Sequence, residues 1–497
     1  MALSPTTYSS SLVVGRTFAD MRQQLDGLNQ QLNTGKRADS YADLGLGRTV
    51  SLALRQEQAQ IASYQETATL VSGRLQIVGT TLDRISALGT QTINRLTTTG
   101  LAVASNGVSD DQRTAKGALD ELISHLNSSY AGRALFAGRA VDQKAVADSD
   151  TILNGEPGKA GLRQVMDERR QADIGDGLGR LVLAPVAADT VSVSQEAAGL
   201  PFGFTLDSIA STLTGATASG PGGAPPAISI ALGSQPQAGQ TVMLTLSMPD
   251  GSKTDLTLTA GTSTTAGEFA IGATVTDTAN NLRTALSAAL TDTAGRDLAA
   301  ASGIQAAREF FAGAPPATPM RVSGLPLATA TALVAGTSSD TTSWYLGDNG
   351  PGDPRDAAVA RVDDGVTVGY GLRANETGFA GLMSGLAALV ADDFSANSAA
   401  DRGRAEALVR RVKDGLGANA ATLGDIQADI GTAAKSVADA TDRHKQTAVT
   451  IGGLIDNNEN ADSGEVSAQL LSLQNRMQAS YQAAALILHL SLTNYLG

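Results

Sequence analysis

Hydrophobic residues at both ends of the chain recur every three or four positions, a spacing that predicts amphipathic helices. The first set is Val14, Phe18, Met21, Leu25, Leu28 and Leu32. The last set is Leu470, Leu473, Met477, Tyr481, Ala484, Leu488, Leu492 and Tyr495. Such steps place each set on one side of a helix, as in a coiled-coil seam. Because an apolar stripe must be covered, we expect the two ends to pair with each other or with copies of each other.

The same periodicity continues inward from both ends and predicts long helical rods. It runs through Ile61–Ile85 in the first half of the chain and through Arg404–Ile455 in the second. It breaks around Gly100–Gly107, and Ser109 with two acidic residues after it predicts the start of a further helix. The polar run Asp456–Asn460 is expected to interrupt the second rod before the last helix.

A segment rich in glycine and aspartate, residues 33–47, separates the first helix from the first rod. Its glycines break the helical pattern and predict an ordered connector. The residues singled out in it are Gly35, Lys36, Arg37 and Asp43. Two interpretations of the basic pair in this connector stay open, namely contact with a neighbouring subunit and simple solvated charge.

The middle of the chain loses the helical periodicity and alternates over short runs. Residues 241–246 and 254–259 alternate around a Pro-Asp-Gly-Ser turn and predict a hairpin, and Thr278–Ala289 predicts a helix. Further β structure is expected at Thr342–Leu346 and Ala358–Tyr370, whereas Gly215–Pro226 resembles a small-residue linker.

The predicted fold is therefore mainly α, with an inserted α+β, β-rich region between paired helical rods. The expected segments are an N-terminal helix and connector (1–46), the first half of the rod (47–140), an inserted variable region (141–400), the second half of the rod (401–460) and a C-terminal helix (461–497).

Composition narrows the possible functions of these 497 residues. The net charge of −13 without a basic stripe argues against a nucleic-acid partner. The chain has no cysteine and only three histidines, far apart in sequence, so we expect neither a thiolate nor a histidine metal site. No apolar run is long enough for membrane insertion, and the first residues lack the pattern of a cleaved signal peptide.

Several residues that could suggest chemistry have simpler explanations. The loop Asp348–Asp353 holds oxygen ligands but lacks the twelve-residue calcium pattern, so a plain turn is favoured. Trp344 and Tyr345 are interpreted as core rather than a sugar platform, and His444 as a partly buried residue of the rod seam. No catalytic constellation is present in the sequence, and we expect no enzyme activity and no cofactor.

The connector sequence Leu32–Asp43 resembles the segment after the first helix in the bacterial flagellin family, which includes the hook–filament junction proteins. The nested layout is also that of the family. Two further segments, Gly132–Gly138 and Ser491–Leu496, resemble motifs of the junction proteins (hook-associated protein 3) in particular. The resemblance covers roughly residues 1–140 and 400–497.

This resemblance implies an extracellular structural subunit of the flagellum that is exported without a cleaved signal peptide. The implied partners are other copies of the chain, the hook, hook-associated proteins and flagellin, together with an export chaperone on the C-terminal helix. A junction protein is favoured over a filament flagellin. An alternative of another class is a secreted adhesin whose β-rich centre binds a glycan.

Overall fold

The computed structural model describes residues 5–96, 108–313 and 318–496, with the backbone alone for residues 5–12, 14 and 487–496. The expected break at Gly100–Gly107 lies outside the described residues. The described helices are α1 (Pro5–Thr34), α2 (Gly47–Arg95), α3 (Asp110–Leu126), α4 (Ser149–Asn154), α5 (Leu162–Ile174), α6 (Val275–Thr293), α7 (Ala299–Ala312), α8 (Thr377–Ala391), α9 (Ala399–Glu459) and α10 (Ser463–Leu496).

The described strands group into small sheets. They are β1 (Ser129–Tyr130), β2 (Arg133–Ala134), β3 (Gly155–Glu156), β4 (Lys159–Ala160), β5 (Leu181–Leu183), β6 (Thr190–Gln195), β7 (Thr205–Ser211), β8 (Ala216–Gly222), β9 (Ala227–Leu232), β10 (Thr241–Ser247), β11 (Lys253–Gly261), β12 (Glu268–Ala270), β13 (Met320–Ser323), β14 (Ala332–Ala335), β15 (Val359–Asp363) and β16 (Val366–Gly369). The expected mainly α fold with a β-rich middle is confirmed.

The chain divides into two compact units. The first comprises residues 1–72, 361–367 and 436–497, and the second comprises residues 73–360 and 368–435. The five-segment division expected from the sequence stays a prediction.

In the first unit, α1 lies against α10, and the beginning of α2 lies against the end of α9. The seam between α2 and α9 is apolar, with Ile61, Ile451 and Ile455 buried together and Leu54 and Ala448 beside them. Pro5 occupies the first turn of α1, where a missing backbone N–H is harmless. The periodic apolar residues thus form the predicted helices because each stripe finds a facing stripe.

Short polar side chains fix where several helices begin. In α3, Ser109 and Gln112 form a reciprocal capping box, with bonds of 3.1 and 3.0 Å between side chain and backbone. At the start of α10, Asp462 Oδ1 accepts a bond from the amide of Gly464 at 2.8 Å. The expected interruption at Asp456–Asn460 is wrong in its position, because α9 continues to Glu459. Its last turn is closed by the Asn460 amide, which donates to the Asp456 carbonyl at 2.9 Å.

In the second unit, helices α5, α7 and α8 pack in sequence, and α3 also packs against α8. The rest of α2 and the first part of α9 belong to this unit, where Gln427 of α9 donates to Asp83 of α2. Helix α8 approaches α9 so closely that a Cβ on Gly381 would lie 2.1 Å from the Asn419 side chain. Glycine at this position therefore permits the close approach of the two helices.

The middle of the second unit contains two four-stranded sheets that share one hydrophobic core with α6. Their strand orders are β12-β11-β10-β7 and β5-β6-β9-β8. The predicted hairpin is confirmed as β10–β11, which pairs Leu244 with Leu256. Inward residues alternate along β9 and β10, as expected for strands with one face on a core. The predicted helix at Thr278–Ala289 is confirmed within α6.

Two sequence expectations about this region are wrong. The supposed linker Gly215–Pro226 contains strand β8, which pairs antiparallel with β9 through partners such as Ala218 and Ile230. The stretch Thr342–Leu346 forms no described strand, and its only ladder contact is the isolated bridge from Tyr345 to Val146. Trp344 and Tyr345 are fully buried there, so burial of aromatic side chains rather than sheet pairing explains the apolar run.

Candidate assembly surface and connector joint

The pairing of α1 with α10 brings the two predicted stripes together in the first unit. The rings of Phe18 and Tyr481 stack with centroids 4.8 Å apart and planes 17° from parallel. Met21 of α1 and Leu473 of α10 are buried, with 7% and 4% of their surfaces exposed. Residues 463 positions apart in sequence thus form one contact, as the spacing of the stripes predicts.

The other predicted interface residues are covered only in part. Phe18, Leu25, Leu28, Leu470 and Met477 are half-buried. Leu32 and Tyr481 remain exposed, at 43% and 47%. The side chains of the remaining three predicted residues, Leu488, Leu492 and Tyr495, lie outside the described residues.

Helix α10 also carries apolar residues on the side away from its buried residue. Leu471 and Leu486 are 61% and 64% exposed. With 100° of rotation per residue, Leu471 lies about 160° around the helix from Leu473 in one direction, and Leu486 lies about 140° from it in the other. A single neighbouring helix covers one side, so α1 leaves this second apolar side uncovered.

The connector after α1 meets the segment after α9 through backbone bonds. Gly35 ends α1 with a left-handed φ of 67°, and its amide donates to the Gln31 carbonyl at 2.8 Å. Lys36 forms an antiparallel bridge with Asn460, and the Ala461 amide donates to the Gly35 carbonyl at 2.9 Å. We call Gly35–Arg37 together with Glu459–Ala461 the connector joint.

Arg37 adds two bonds to this joint. Its amide donates to the Glu459 carbonyl at 2.8 Å, and its Nε donates to the Asn460 carbonyl at 3.0 Å. Neither of the two interpretations left open describes these bonds, because Arg37 contacts the end of α9 in its own chain. Asp43, the remaining predicted connector residue, accepts a bond of 2.6 Å from the Ser40 hydroxyl and so shapes the connector locally.

An ion pair lies directly beneath the joint. Arg55 of α2 donates from Nε and Nη2 to the two carboxylate oxygens of Glu459, at 2.8 and 2.6 Å. The Glu459 side chain is 7% exposed, whereas that of Arg55 is 43% exposed. The hydrogen bonds from Arg55 lower the pKa of Glu459 below its ordinary value, and the pKa of Arg55 is raised by the same bonds.

Asn458 fastens the same region to the first turn of α2. Its Nδ2 donates to the Gly47 carbonyl at 2.9 Å and to the Ser51 hydroxyl at 2.7 Å. Arg55, Asn458 and Glu459 were not singled out in the sequence. Arg55 and Glu459 are 404 positions apart, and nothing in either local pattern marks a charged residue as the partner of the other.

The comparison with protein families agrees with this geometry. The family model described as the bacterial flagellin N-terminal helical region matches residues 6–140. Over these residues the chain is similar to the flagellin family. No curated protein matches the chain. The match spans α1, the connector, α2 and α3, the elements that build the first half of the paired helices.

Members of the flagellin family are structural subunits of the flagellum, an extracellular assembly built from many axial subunits. Flagellins are structural rather than enzymatic proteins. Among the described residues, no three His, Asp or Glu side chains are grouped to hold a metal ion. No helix in the described ranges combines the length and the hydropathy that a membrane span needs.

The tip of the β15–β16 hairpin is bound to helices α2 and α9 within the first unit. His444 Nε2 donates to the Val362 carbonyl at 2.8 Å, and its ring stacks on Tyr64 at 5.5 Å. Arg443 donates to Asp363 at 2.9 Å, and this bond lowers the pKa of the Asp363 carboxyl. His444 is therefore a buried seam residue, as the sequence suggests.

The motif Gly132–Gly138 lies in the second unit and is structural. Phe136 is fully buried and meets Phe379 edge to face, with centroids 5.6 Å apart. Its carbonyl accepts a bond from the Ala374 amide at 2.7 Å, and the Gly138 amide donates to the Leu372 carbonyl at 3.0 Å. The residues of this motif therefore serve local packing in the structure.

The loop Asp348–Asp353 is filled by an arginine. Arg373 Nη1 donates to the carbonyls of Gly350 at 2.8 Å and of Gly352 at 3.4 Å. The guanidinium thus binds the carbonyl oxygens that a cation in this loop would need as ligands. The geometry is that of a turn closed by an internal positive charge.

Proposed function

We propose that the chain is the subunit of the hook–filament junction and that it assembles through α1 and α10. The observation that supports assembly is the second apolar side of α10. Leu471 and Leu486 are exposed in the lone chain and point away from the buried Leu473. Copies of the chain or other axial subunits would cover this side, as expected of an apolar surface on a protein built for association.

The junction role rests on the resemblance of Gly132–Gly138 and Ser491–Leu496 to junction-protein motifs. A filament flagellin is the second candidate, and the match to the bacterial flagellin N-terminal region favours it. Both candidates use the same paired helices. In both, the hook, hook-associated proteins and flagellin are the proposed neighbours, and the β-rich part of the second unit would be the variable insertion.

Export is part of the same proposal. The chain would leave the cell without a cleaved signal peptide, and a chaperone would cover the C-terminal helix before assembly. Exposed leucines on α10 are a physical reason for such a chaperone, because they would promote aggregation in the cytosol.

Assembly through α10 is tested by Leu471→Asp in the full chain. The change places a charge on the exposed apolar side without touching the buried contact with α1. We expect the circular dichroism of the chain to stay unchanged and sedimentable assemblies to disappear. Ser472→Asp is the matched control, since it adds the same charge at an exposed neighbouring position about 100° away. Normal assembly of Leu471→Asp would contradict the proposal.

Deletion of the gene separates the two flagellar candidates. Loss of a junction protein should leave hooks in place and flagellin shed into the medium. Loss of a filament flagellin should leave hooks without filaments and no shed flagellin. Electron microscopy of the cells and immunoblots of the medium distinguish these outcomes.

A further inference from the structure

The connector joint is a point where two exposed segments meet. Its backbone contacts are the bridge from Lys36 to Asn460 and the bonds that join Arg37 to Glu459 and Ala461 to Gly35. These bonds place the first residues after α1 opposite the last residue of α9 and the first residues after it. They therefore set where α1 ends relative to where α10 begins.

Backbone bonds alone are a weak means of holding such a joint. Gly35, Lys36, Arg37 and Asn460 are exposed, so water competes for their amide and carbonyl groups. A bridge of this length has no sheet around it and no apolar face of its own. Something outside the bridge must keep the two segments in register.

Glu459 can keep the segments in register because it takes part both in the connector joint and in the ion pair with Arg55. Its carbonyl accepts the Arg37 amide in the joint, and its carboxylate receives two bonds from Arg55 of α2. The carboxylate is nearly buried, so water has little access to the acceptor oxygens of these charge-assisted bonds. Asn458 ties the preceding residue to Gly47 and Ser51. The end of α9 is thus anchored on α2 at two successive residues.

We propose that Arg55 and Glu459 are positioning residues that hold the connector joint in register, so that α1 and α10 leave it side by side. The pair acts on the joint through the backbone of Glu459. Its consequence for assembly rests on the proposed function, whereas its effect on the joint is a property of the single chain.

The chain offers a direct reporter, because it contains no cysteine. Lys36→Cys with Asn460→Cys places two thiols on antiparallel bridge partners, whose usual Cα separation suits a disulfide. The full chain carrying this pair is equilibrated in glutathione redox buffers at fixed pH. The fraction of closed disulfide then gives the effective concentration of one thiol near the other.

In this cysteine background we expect Glu459→Gln to lower the effective concentration about ten-fold, because two charge-assisted bonds are weakened. Arg55→Glu should have a similar effect, and combining it with Glu459→Arg should restore most of the loss. Arg55→Lys keeps the charge without the two-pronged geometry and should be intermediate. Asp363→Asn is the matched control, since it weakens another ion pair of the first unit away from the joint.

An unchanged effective concentration in Glu459→Gln would overturn the inference, as would an equal loss in Asp363→Asn or no recovery in the charge exchange. A parent chain whose disulfide does not close would overturn it too. Sedimentation of the same chains provides the separate test of assembly. A chain with a normal joint that never assembles would contradict the proposed function and leave the inference standing.

Discussion

The stacked rings of Phe18 and Tyr481 allow the pairing of α1 with α10 to be measured. A ring stack contributes about 0.5–1.5 kcal/mol beyond the area it buries. Because Phe18 is half-buried and Tyr481 is 47% exposed, the lower part of that range applies, about 0.5–1 kcal/mol. Truncating either ring to alanine also loses apolar contact, for a total of about 1–2 kcal/mol at a half-covered site.

Hydrogen exchange of α10 amides in the full chain reports this free energy as local opening. Tyr481→Ala and Phe18→Ala should each lower the protection of these amides about 5–30-fold. In the double variant, the loss of opening free energy should be smaller than the sum of the two single losses. The difference is the coupling energy of the stack. Tyr481→Phe, which keeps the ring, and Val13→Ala, at a position 62% exposed, are the controls and should stay close to the parent.

Two results would refute this reasoning. A cycle that is additive within about 0.3 kcal/mol would show that the rings do not interact. Equal exchange in the parent and in both single variants would show that α1 and α10 do not pair in the lone chain. The protection of β10–β11 amides in the second unit should be the same in all variants, which checks that the effect is local.

Two further predictions concern pH and the core. The pKa of Glu459 is lowered by Arg55, so its bond contributes fully at neutral pH and is lost as the pH falls through that lowered value. In the parent, the hydrogen-exchange protection of the joint amides should therefore decrease once the pH is lowered below about 4. In Glu459→Gln this protection should already be lower at neutral pH and should change little with pH. Trp344→Phe removes the bond of 2.7 Å from Nε1 to the Gly313 carbonyl at a fully buried site. The orphaned carbonyl should cost about 1–3 kcal/mol, seen as a lower unfolding temperature of the second unit.

The helices of this chain could be predicted well because their information is local and repeated. Each turn of α2 and α9 places an apolar residue on the same side, so the pattern survives single exceptions. The end of α9 shows the limit of the approach. A polar run from Asp456 predicts a break, yet the i to i−4 bonds continue to the last turn, where Asn458 and Glu459 have partners on α2.

Strand β8 was missed because its side chains carry no alternation. Its residues are small, and all seven are exposed or half-buried, so neither face shows an apolar pattern. What makes it a strand is the neighbouring β9, whose backbone pairs with it. The residues of a strand do not by themselves show that another strand will pair with it.

The connector joint could be located but not explained from the sequence. Gly35 and the end of the helical period mark the place, because a left-handed residue after a helix favours glycine. The partner of Arg55, by contrast, cannot be predicted from a local sequence pattern. The chain has 36 basic and 49 acidic residues, so charge alone gives many possible pairs, and only the folded helices bring Glu459 to Arg55.

The joint and the ring stack together constrain how α10 presents its apolar residues. The joint fixes where α10 begins, through Ala461 and the cap at Asp462. The stack of Tyr481 on Phe18 fixes the orientation of α10 about its axis, because rotating the helix would separate the rings. With start and rotation both set, Leu471 and Leu486 lie within about 60° of each other on the side away from α1. A partner helix would then meet both leucines at once, so loss of either constraint should weaken assembly even where every leucine is retained.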